Sequence, residues 1–178
     1  MTAQVDLFGQ RDLKTGERSD NDYYPTPLQC IDPLLARIKA HPDSVFGEPC
    51  RGELRMIYDR VPLRRKLWAE IEEGVDYLKT DFSQCDLIIT NPPFSMALDF
   101  LEKSLREAPT VCYLLRLGFL GSIERHNFWK ANPLTHLGVI SEKGRPSFTG
   151  GGTDNSEYAW FIWDRAGIVI EPPGVFVM

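Results

Sequence analysis

Residues 86–94 read Asp86-Leu87-Ile88-Ile89-Thr90-Asn91-Pro92-Pro93-Phe94, and this stretch decides the fold. Its three apolar residues, two of them β-branched, predict a buried strand that ends abruptly at Asn91. Pro92 and Pro93 fix two successive φ angles and lack backbone donors, so their carbonyl groups are predicted to be free and nearly immobile. The Asn91 side-chain carbonyl adds a third acceptor. Such a cluster suits a substrate amino group, and Phe94 can stack on a flat base beside it.

The alternative interpretation of this stretch is a strand followed by an ordinary Pro-Pro turn. Glu171-Pro172-Pro173-Gly174 shows that the chain uses Pro-Pro elsewhere without a preceding Asn. The residue pattern alone leaves both interpretations open.

Apolar runs alternate with helical patterns over most of the chain, which predicts an α/β fold. The predicted strands are 44–48, 66–71, 86–90, 110–117, 137–140 and 157–163, and the predicted helices are 27–40, 53–60, 96–105 and 122–130. The last two strands are joined by a loop alone. We therefore expect a Rossmann-like, doubly wound, mostly parallel sheet with an antiparallel edge pair. Polar residues 1–22 predict a flexible arm, 23–166 the folded domain, and 167–178 a C-terminal tail.

Composition and charge narrow the possible classes of protein. The 178 residues are 43% hydrophobic and 25% charged, as in a soluble globular protein. No apolar run approaches the length of a membrane span, and the polar N-terminus does not read as a signal peptide, so a cytoplasmic location is expected. The four scattered cysteines predict neither disulfides nor a zinc site.

The formal net charge of −5 argues against a strongly basic nucleic-acid-binding protein. The charges are nevertheless uneven along the chain. Acids predominate between residues 66 and 110, and bases between 113 and 148. Residues 113–148 are therefore expected to bind an anion, although charged residues that are simply exposed to solvent produce the same pattern.

A second motif follows the first predicted strand. An acid and a glycine lie between a predicted strand and a predicted helix in Glu48-Pro49-Cys50-Arg51-Gly52-Glu53. Doubly wound folds bind nucleotide-type ligands at such a loop. Glu70 ends the next predicted strand, 18 residues after Gly52. This is close to the spacing of about 20 at which an acid reaches ribose hydroxyls. A surface carboxylate at a strand end has the same pattern.

Nearer the N-terminus, Thr26 is predicted to cap a helix that begins at Pro27.

Taken together, residues 22–164 resemble the adenine-specific DNA methyltransferases that use S-adenosylmethionine, especially small phage-type members. Asn91-Pro92-Pro93-Phe94 matches the family loop that binds the target amino group, so the resemblance implies that these four residues are catalytic. It implies a class I methyltransferase fold, with a cofactor site formed by Tyr24, Thr26, Pro27, Glu48, Pro49, Cys50, Gly52, Glu70, Ile71, Asp81, Phe82 and Asn91. Among these, Glu48 faces the methionine moiety, Glu70 the ribose, and Asp81 and Phe82 the adenine.

The resemblance also implies how a substrate is bound. Phe94 and Phe148 are expected to pack on a flipped adenine, and Arg116 and Arg145 to contact DNA. No metal is required for this chemistry. The sequence departs from the family at Leu54, where a second glycine is usual, and a bulky side chain there is expected to narrow the pocket or shift the loop.

The implied activity is methyl transfer to the exocyclic amino group of adenine in DNA, with short or relaxed sequence specificity. Two other classes fit the same residues. One is a methyltransferase that acts on RNA adenine or on a protein glutamine amide. The other is an inactive nucleic-acid-binding module whose cofactor site Leu54 has closed. The oligomeric state is left open by the sequence.

Overall fold

The structure, a computed structural model, describes residues 25–148 and 154–178. Seven strands form one sheet: β1 Val45–Glu48, β2 Arg65–Trp68, β3 Leu87–Thr90, β4 Thr110–Arg116, β5 His136–Val139, β6 Tyr158–Asp164 and β7 Gly174–Val177. The α-helices are α1 Leu28–Leu35, α2 Met56–Arg60, α3 Ala97–Glu107 and α4 His126–Ala131. Within the described ranges, no helix combines the length and apolar character needed to cross a membrane.

The strand order is β2-β1-β3-β4-β6-β5-β7. Strands β1 to β4 are mutually parallel, β6 runs antiparallel to β4 and β5, and β7 pairs parallel with β5. The predicted α/β class and mostly parallel sheet are therefore confirmed, including the antiparallel pairing of the two strands after residue 130.

The C-terminal segment corrects the predicted boundary of the domain. Residues 167–178 are predicted to be a tail, but Gly174–Val177 forms β7 at the edge of the sheet. The Met178 amide donates to Val139, and the Met178 carbonyl accepts from Ser141 and Glu142. These backbone bonds tie the last residues to β5 and to the loop after it, so the antiparallel pair is not the outermost part of the sheet.

Helices cover both faces of the sheet, and the side chains of β3 show why its sequence is a continuous apolar run. Leu87 and Ile89 point into a core shared with α1 and α2, while Ile88 points into a second core shared with α3 and α4. Every residue of β3 is buried. A parallel strand covered on both faces has no polar side, which explains the lack of alternation in 87–89.

The start of α1 differs from its prediction. The helix begins at Leu28, Pro27 occupies the cap position, and no side chain caps it. Thr26 is 5% exposed, and its hydroxyl accepts a hydrogen bond from Asn91. The Thr26 side chain therefore bonds to Asn91, which is distant in the sequence, and does not cap the helix. Capping rules consider only neighbouring residues and do not detect such a bond.

Candidate active site

A cavity of about 600 Å³ lies at the carboxyl ends of β1, β2 and β3. The segments that follow these three strands form its wall, together with Pro25 and Thr26 before α1. Carboxyl ends of parallel strands are the usual ligand-binding edge of a doubly wound sheet. The volume is within the range of about 300–1,000 Å³ typical of small-molecule sites.

The Asn91 loop forms one side of the cavity. The Asn91 side-chain nitrogen donates to the Thr26 hydroxyl over 3.1 Å, and this bond fixes the orientation of the amide. The carbonyl of Pro93 accepts from the Met96 amide over 3.1 Å, so it is not free as predicted. The short helical turn at Phe94–Met96 uses it. The predicted acceptor cluster is therefore reduced to the Asn91 side chain and the Pro92 carbonyl.

Glu48 ends β1 and lies at the wall of the same cavity. Its side chain is 1% exposed, and its Oε2 atom has no hydrogen-bond partner among the described residues. Burial raises the pKa of the Glu48 carboxyl well above its ordinary value, and the charges of Arg51 and Lys66 offset only part of this effect. A buried carboxyl oxygen that lacks a hydrogen-bond partner is costly unless a ligand supplies one. Glu48 is therefore suited to a cationic group in the cavity.

Glu70 is held in place by the glycine of the first loop. Its Oε2 accepts from the Gly52 amide over 2.6 Å, and its Oε1 accepts from the Glu72 amide over 3.2 Å. Gly52 has φ of 66°, a left-handed conformation that glycine adopts without strain. The pair joins the loops after β1 and β2 and fixes the Glu70 carboxylate at the wall. Ile71, next to it, is 63% exposed and also lies at the wall.

Arg51 makes a second link between these two loops. Its side chain is 8% exposed, and its guanidinium lies 3.7 Å from the centre of the Trp68 ring. It also forms an ion pair with Glu73. Sequence reasoning missed this role, because a basic residue between a cysteine and a glycine has no characteristic pattern.

Several predicted cofactor residues lie at the cavity and others do not. Thr26, Glu48, Pro49, Cys50, Glu70, Ile71 and Asn91 line it. Gly52 contributes through its bond to Glu70, and Pro27 is the cap of α1 and is not part of the wall. Tyr24 lies outside the described residues. Burial raises the pKa of the Cys50 thiol, so this group stays protonated at the wall.

Asp81 and Phe82 are not brought to the cavity. Phe82 is fully buried, with its ring centre 5.0 Å from that of Tyr77, and it also packs on Gly47. The exposed Asp81 accepts from the Ser83 amide over 2.8 Å. The wall is instead formed by Asp76, Tyr77 and Leu78, a few residues earlier. The two segments have similar acid-aromatic patterns, and Phe82 is placed inside by its packing on β1.

Leu54 does not close the cavity. Its side chain is 56% exposed and is not part of the wall. The expected narrowing of the pocket is therefore absent, because the residue after Glu53 points away from the ligand space.

Three of the four predicted substrate residues, Phe94, Arg116 and Phe148, contact Tyr158, and Arg145 does not. Phe148 is 7% exposed and packs on Tyr158, with ring centres 4.6 Å apart. The Arg116 guanidinium lies 4.7 Å from the centre of the Phe94 ring, and its Nε donates to the Tyr158 hydroxyl over 3.1 Å. Arg145 is half exposed, 3.9 Å from Glu157. Tyr158 was read from the sequence only as part of a buried strand, so its position between Phe94 and Phe148 is a feature that the sequence did not reveal.

Residues 25–148 and 154–178 contain no group of three or more His, Cys, Asp or Glu side chains placed to hold a metal ion. The four cysteines are free thiols.

Neither a protein-family model nor a curated protein matches the sequence. Solved structures do match. A proposed class I S-adenosylmethionine-dependent methyltransferase from Listeria monocytogenes has a TM-score of 0.63 and 13% identity over 93% of this chain and 68% of its own. A 23S rRNA methyltransferase has a TM-score of 0.54 and 15% identity over 84% of this chain and 72% of its own.

The methyltransferase subunit of a type I restriction-modification system from Streptococcus thermophilus has a TM-score of 0.56 and 14% identity over 80% of this chain. This chain spans only 45% of that subunit. At identities this low the likeness concerns the fold alone. The chain therefore has the α/β fold of the class I S-adenosylmethionine-dependent methyltransferases.

Proposed function

We propose that the protein transfers a methyl group from S-adenosylmethionine to the exocyclic amino group of adenine in DNA. One observation carries the proposal: Asn91, oriented by Thr26, shares one cavity with the carboxyl groups of Glu48 and Glu70. The fold shared with methyltransferases supports the reaction class. The Asn-Pro-Pro-Phe sequence supports an amino group as the acceptor.

The residues at the cavity wall fit S-adenosylmethionine. The buried Glu48 carboxyl, whose Oε2 has no partner among the described residues, suits the ammonium of the methionine moiety. Glu70, fixed by Gly52, suits the ribose hydroxyls. Asp76 and Leu78 lie at the wall in place of Asp81 and Phe82, and we assign the adenine contact to them. When bound, S-adenosylmethionine supplies a methyl group already activated by its sulfonium.

The chain's contribution to catalysis is to hold and polarise the acceptor. An adenine amino nitrogen is a poor nucleophile because its lone pair is delocalised into the ring. Hydrogen bonds from this amino group to the Asn91 side-chain oxygen and the Pro92 carbonyl favour a tetrahedral nitrogen and stabilise the positive charge that develops on it. Pro92 and Pro93 hold these acceptors in place before the substrate arrives. The methylated nitrogen then releases one proton to water, so no general base is needed in this scheme.

DNA as the substrate is supported by the groups beyond Phe94. Phe94 is half-buried at the cavity wall and offers an aromatic surface to a base. The exposed cations Arg116 and Arg145 are suited to phosphates. The target adenine would leave its stack to reach Asn91, a step that costs a few kcal/mol in duplex DNA. With so few cations, binding is expected to be weak and salt-sensitive.

The direct test supplies radiolabelled S-adenosylmethionine and compares DNA, RNA and protein as acceptors. We expect label in DNA adenine, and an activity about 100-fold or more lower for Asn91→Ala, with cofactor binding retained in calorimetry. Label found only in RNA or in glutamine would replace DNA as the substrate. Binding of nucleic acid without binding of the cofactor would show an inactive module.

A further inference from the structure

The wall of the cavity carries an excess of negative charge. Its acidic members are Glu48, Glu53, Glu70, Glu72, Glu73 and Asp76. Among the described residues that form the wall, Arg51 is the one base. Burial raises the pKa of the Glu48 carboxyl, so this acid is left out of the count of charges. The other five acids exceed the one base by four charges.

Two of these acids have basic partners. Glu73 forms an ion pair with Arg51, and the Asp76 carboxylate lies 3.0 Å from the Lys79 ammonium. Lys79 is outside the wall, and its side chain is 84% exposed. Lys79 therefore offsets one charge from outside, and the excess at the wall remains negative.

The size of the cavity lets these charges act on a ligand together. Its volume of about 600 Å³ corresponds to a width of roughly 10 Å, close to the Debye length of about 8 Å at physiological ionic strength. A charged atom inside the cavity is thus within about one Debye length of most of the wall carboxylates. In water, one unit charge at about 8 Å changes the affinity for a charged ligand about twofold.

A buried group at the same wall also points to a ligand with positive charge. Glu48 is 1% exposed, and its Oε2 atom has no hydrogen-bond partner among the described residues. A buried acceptor that lacks a donor is costly until a ligand supplies one. The excess charge and the unfilled acceptor thus favour a cation independently of each other.

Methyl transfer changes the charge of the ligand by one unit. The bond between the methyl carbon and sulfur breaks, and its electron pair stays on sulfur. The methyl carbon bonds to the acceptor nitrogen, which then releases one proton. S-adenosylmethionine, a sulfonium, therefore carries one positive charge more than its thioether product, S-adenosylhomocysteine.

We infer that the acid-rich wall discriminates between the methyl donor and its product by charge, and binds the sulfonium more tightly than the thioether. This inference rests on the proposed function. The two ligands share their ammonium, ribose and adenine, so Glu48 and Glu70 hold both alike. The exposed acids Glu53 and Glu72 act as specificity residues, because their charges add to binding mainly while the sulfur is charged. Fresh donor thus displaces the product, and turnover is not limited by product inhibition.

The test measures the dissociation constants of S-adenosylmethionine and S-adenosylhomocysteine by calorimetry at two salt concentrations. At about 0.01 M salt we expect the donor to bind about tenfold more tightly than the product. At about 1 M salt the Debye length is about 3 Å, and the two constants should agree within about twofold.

Sinefungin separates the effect of charge from that of the methyl group. In this analogue of S-adenosylmethionine, a carbon that bears a protonated amine replaces the methylated sulfur. It should bind as tightly as the donor and with the same dependence on salt. Binding as weak as that of the product would show that charge is not the cause and would overturn the inference.

Glu53→Gln/Glu72→Gln removes two exposed charges from the wall and keeps the shape of both side chains. At about 0.01 M salt it should bind S-adenosylmethionine about fourfold more weakly and S-adenosylhomocysteine within about twofold of the wild type. Glu102→Gln/Glu124→Gln is the matched control. It makes the same change in net charge at two exposed acids outside the wall, and it should leave both constants unchanged.

Equal affinity for donor and product at low salt would overturn the inference and leave the proposed function intact. Equal losses of donor affinity in the wall variant and the control variant would do the same. A protein that binds neither ligand loses the proposed function together with the inference.

Discussion

The Asn91 amide is hydrogen-bonded to the Thr26 hydroxyl, 65 positions away in the chain. The two residues come from the segment before α1 and the loop after β3, so the bond exists only in the folded protein. It turns the Asn91 nitrogen toward Thr26 and leaves the oxygen as the group that can accept from a substrate. The geometry of the proposed acceptor therefore depends on a residue outside its own motif.

Thr26→Val should lower kcat by about fivefold, because the isosteric valine removes the acceptor that orients Asn91 and a hydrogen bond of this kind contributes about 1 kcal/mol. Steady-state methylation assays measure the effect. Thr26→Ser retains the hydroxyl and is expected to stay within about twofold of the wild type. Equal loss in both variants would show that the methyl group of Thr26, and not its hydroxyl, matters.

Cofactor affinity should rise with pH, because Glu48 must ionise to pair with an ammonium. Its carboxyl is protonated over a wider pH range than an exposed glutamate, since burial raises its pKa. Binding of S-adenosylmethionine then releases a proton, and calorimetry in two buffers of different ionisation enthalpy detects it. Glu48→Gln should bind without this proton release. An identical enthalpy for the wild type in both buffers would contradict the assignment.

The unfolding free energy of the protein without cofactor should fall as the pH rises, whereas the cofactor affinity should increase. A carboxyl with a raised folded-state pKa contributes stability that is present below its unfolded value of 4.5 and is lost as pH rises through the folded value. Urea titrations of the wild type should therefore show a fall in the unfolding free energy above that pH. In Glu48→Gln this component of the fall is absent. If the unfolding free energies of the wild type and Glu48→Gln changed with pH in parallel, the prediction would be wrong.

Gly47→Ala should destabilise the protein by about 1–3 kcal/mol, because a new methyl group in a packed core forces its neighbours apart. An added Cβ would lie 2.7 Å from the Phe82 ring and 2.8 Å from the Cys85 sulfur. Gly118→Ala is the control, since a Cβ there meets no atom within 4 Å among the described residues. Urea denaturation compares the two, and equal midpoints would refute the predicted clash.

Arg51→Met should lower the unfolding free energy by about 2 kcal/mol through loss of the contacts with Trp68 and Glu73. It should also weaken cofactor binding, because Arg51 links the loops that hold Gly52 and Glu70. Arg55→Met removes a more exposed arginine that pairs with Asp59 over 3.1 Å, and is expected to change stability by less than about 0.5 kcal/mol. Similar losses for both would argue against a special role for Arg51.

The central part of the fold could be predicted from the sequence because its signals are local. A strand that is buried on both faces is apolar throughout, as residues 87–89 are. Pro92 and Pro93 lack backbone donors, so the strand ends before them. Strand β7 was missed because Gly174–Val177 has four residues and follows Pro-Pro, which reads as the start of a tail. Its pairing with β5 involves residues 136–139, almost 40 positions earlier, which no local pattern encodes.

Which residues lie at the cavity could be predicted where one residue type is required, and could not where several candidates compete. Glu48, Glu70 and Asn91 each have a distinctive position relative to a strand end, and the structure places all three at one cavity. Aromatic residues offer no such distinction. Phe82 and Tyr77 have similar sequence surroundings, as do Phe148 and Tyr158, and only the packing of each ring decides that Tyr77 lies at the cavity wall and that Tyr158 contacts Phe94.

The reversed direction of β6 brings its first residue to the edge of the sheet where the Asn91 loop lies. Because β6 runs antiparallel, its first residue, Tyr158, pairs with Arg116 at the end of β4. The connection between β5 and β6 therefore returns to the same edge as the Asn91 loop, and the loops proposed to hold the cofactor follow β1 and β2 farther along that edge. An insertion in this connection would remodel the proposed target-binding side and leave the proposed cofactor side intact.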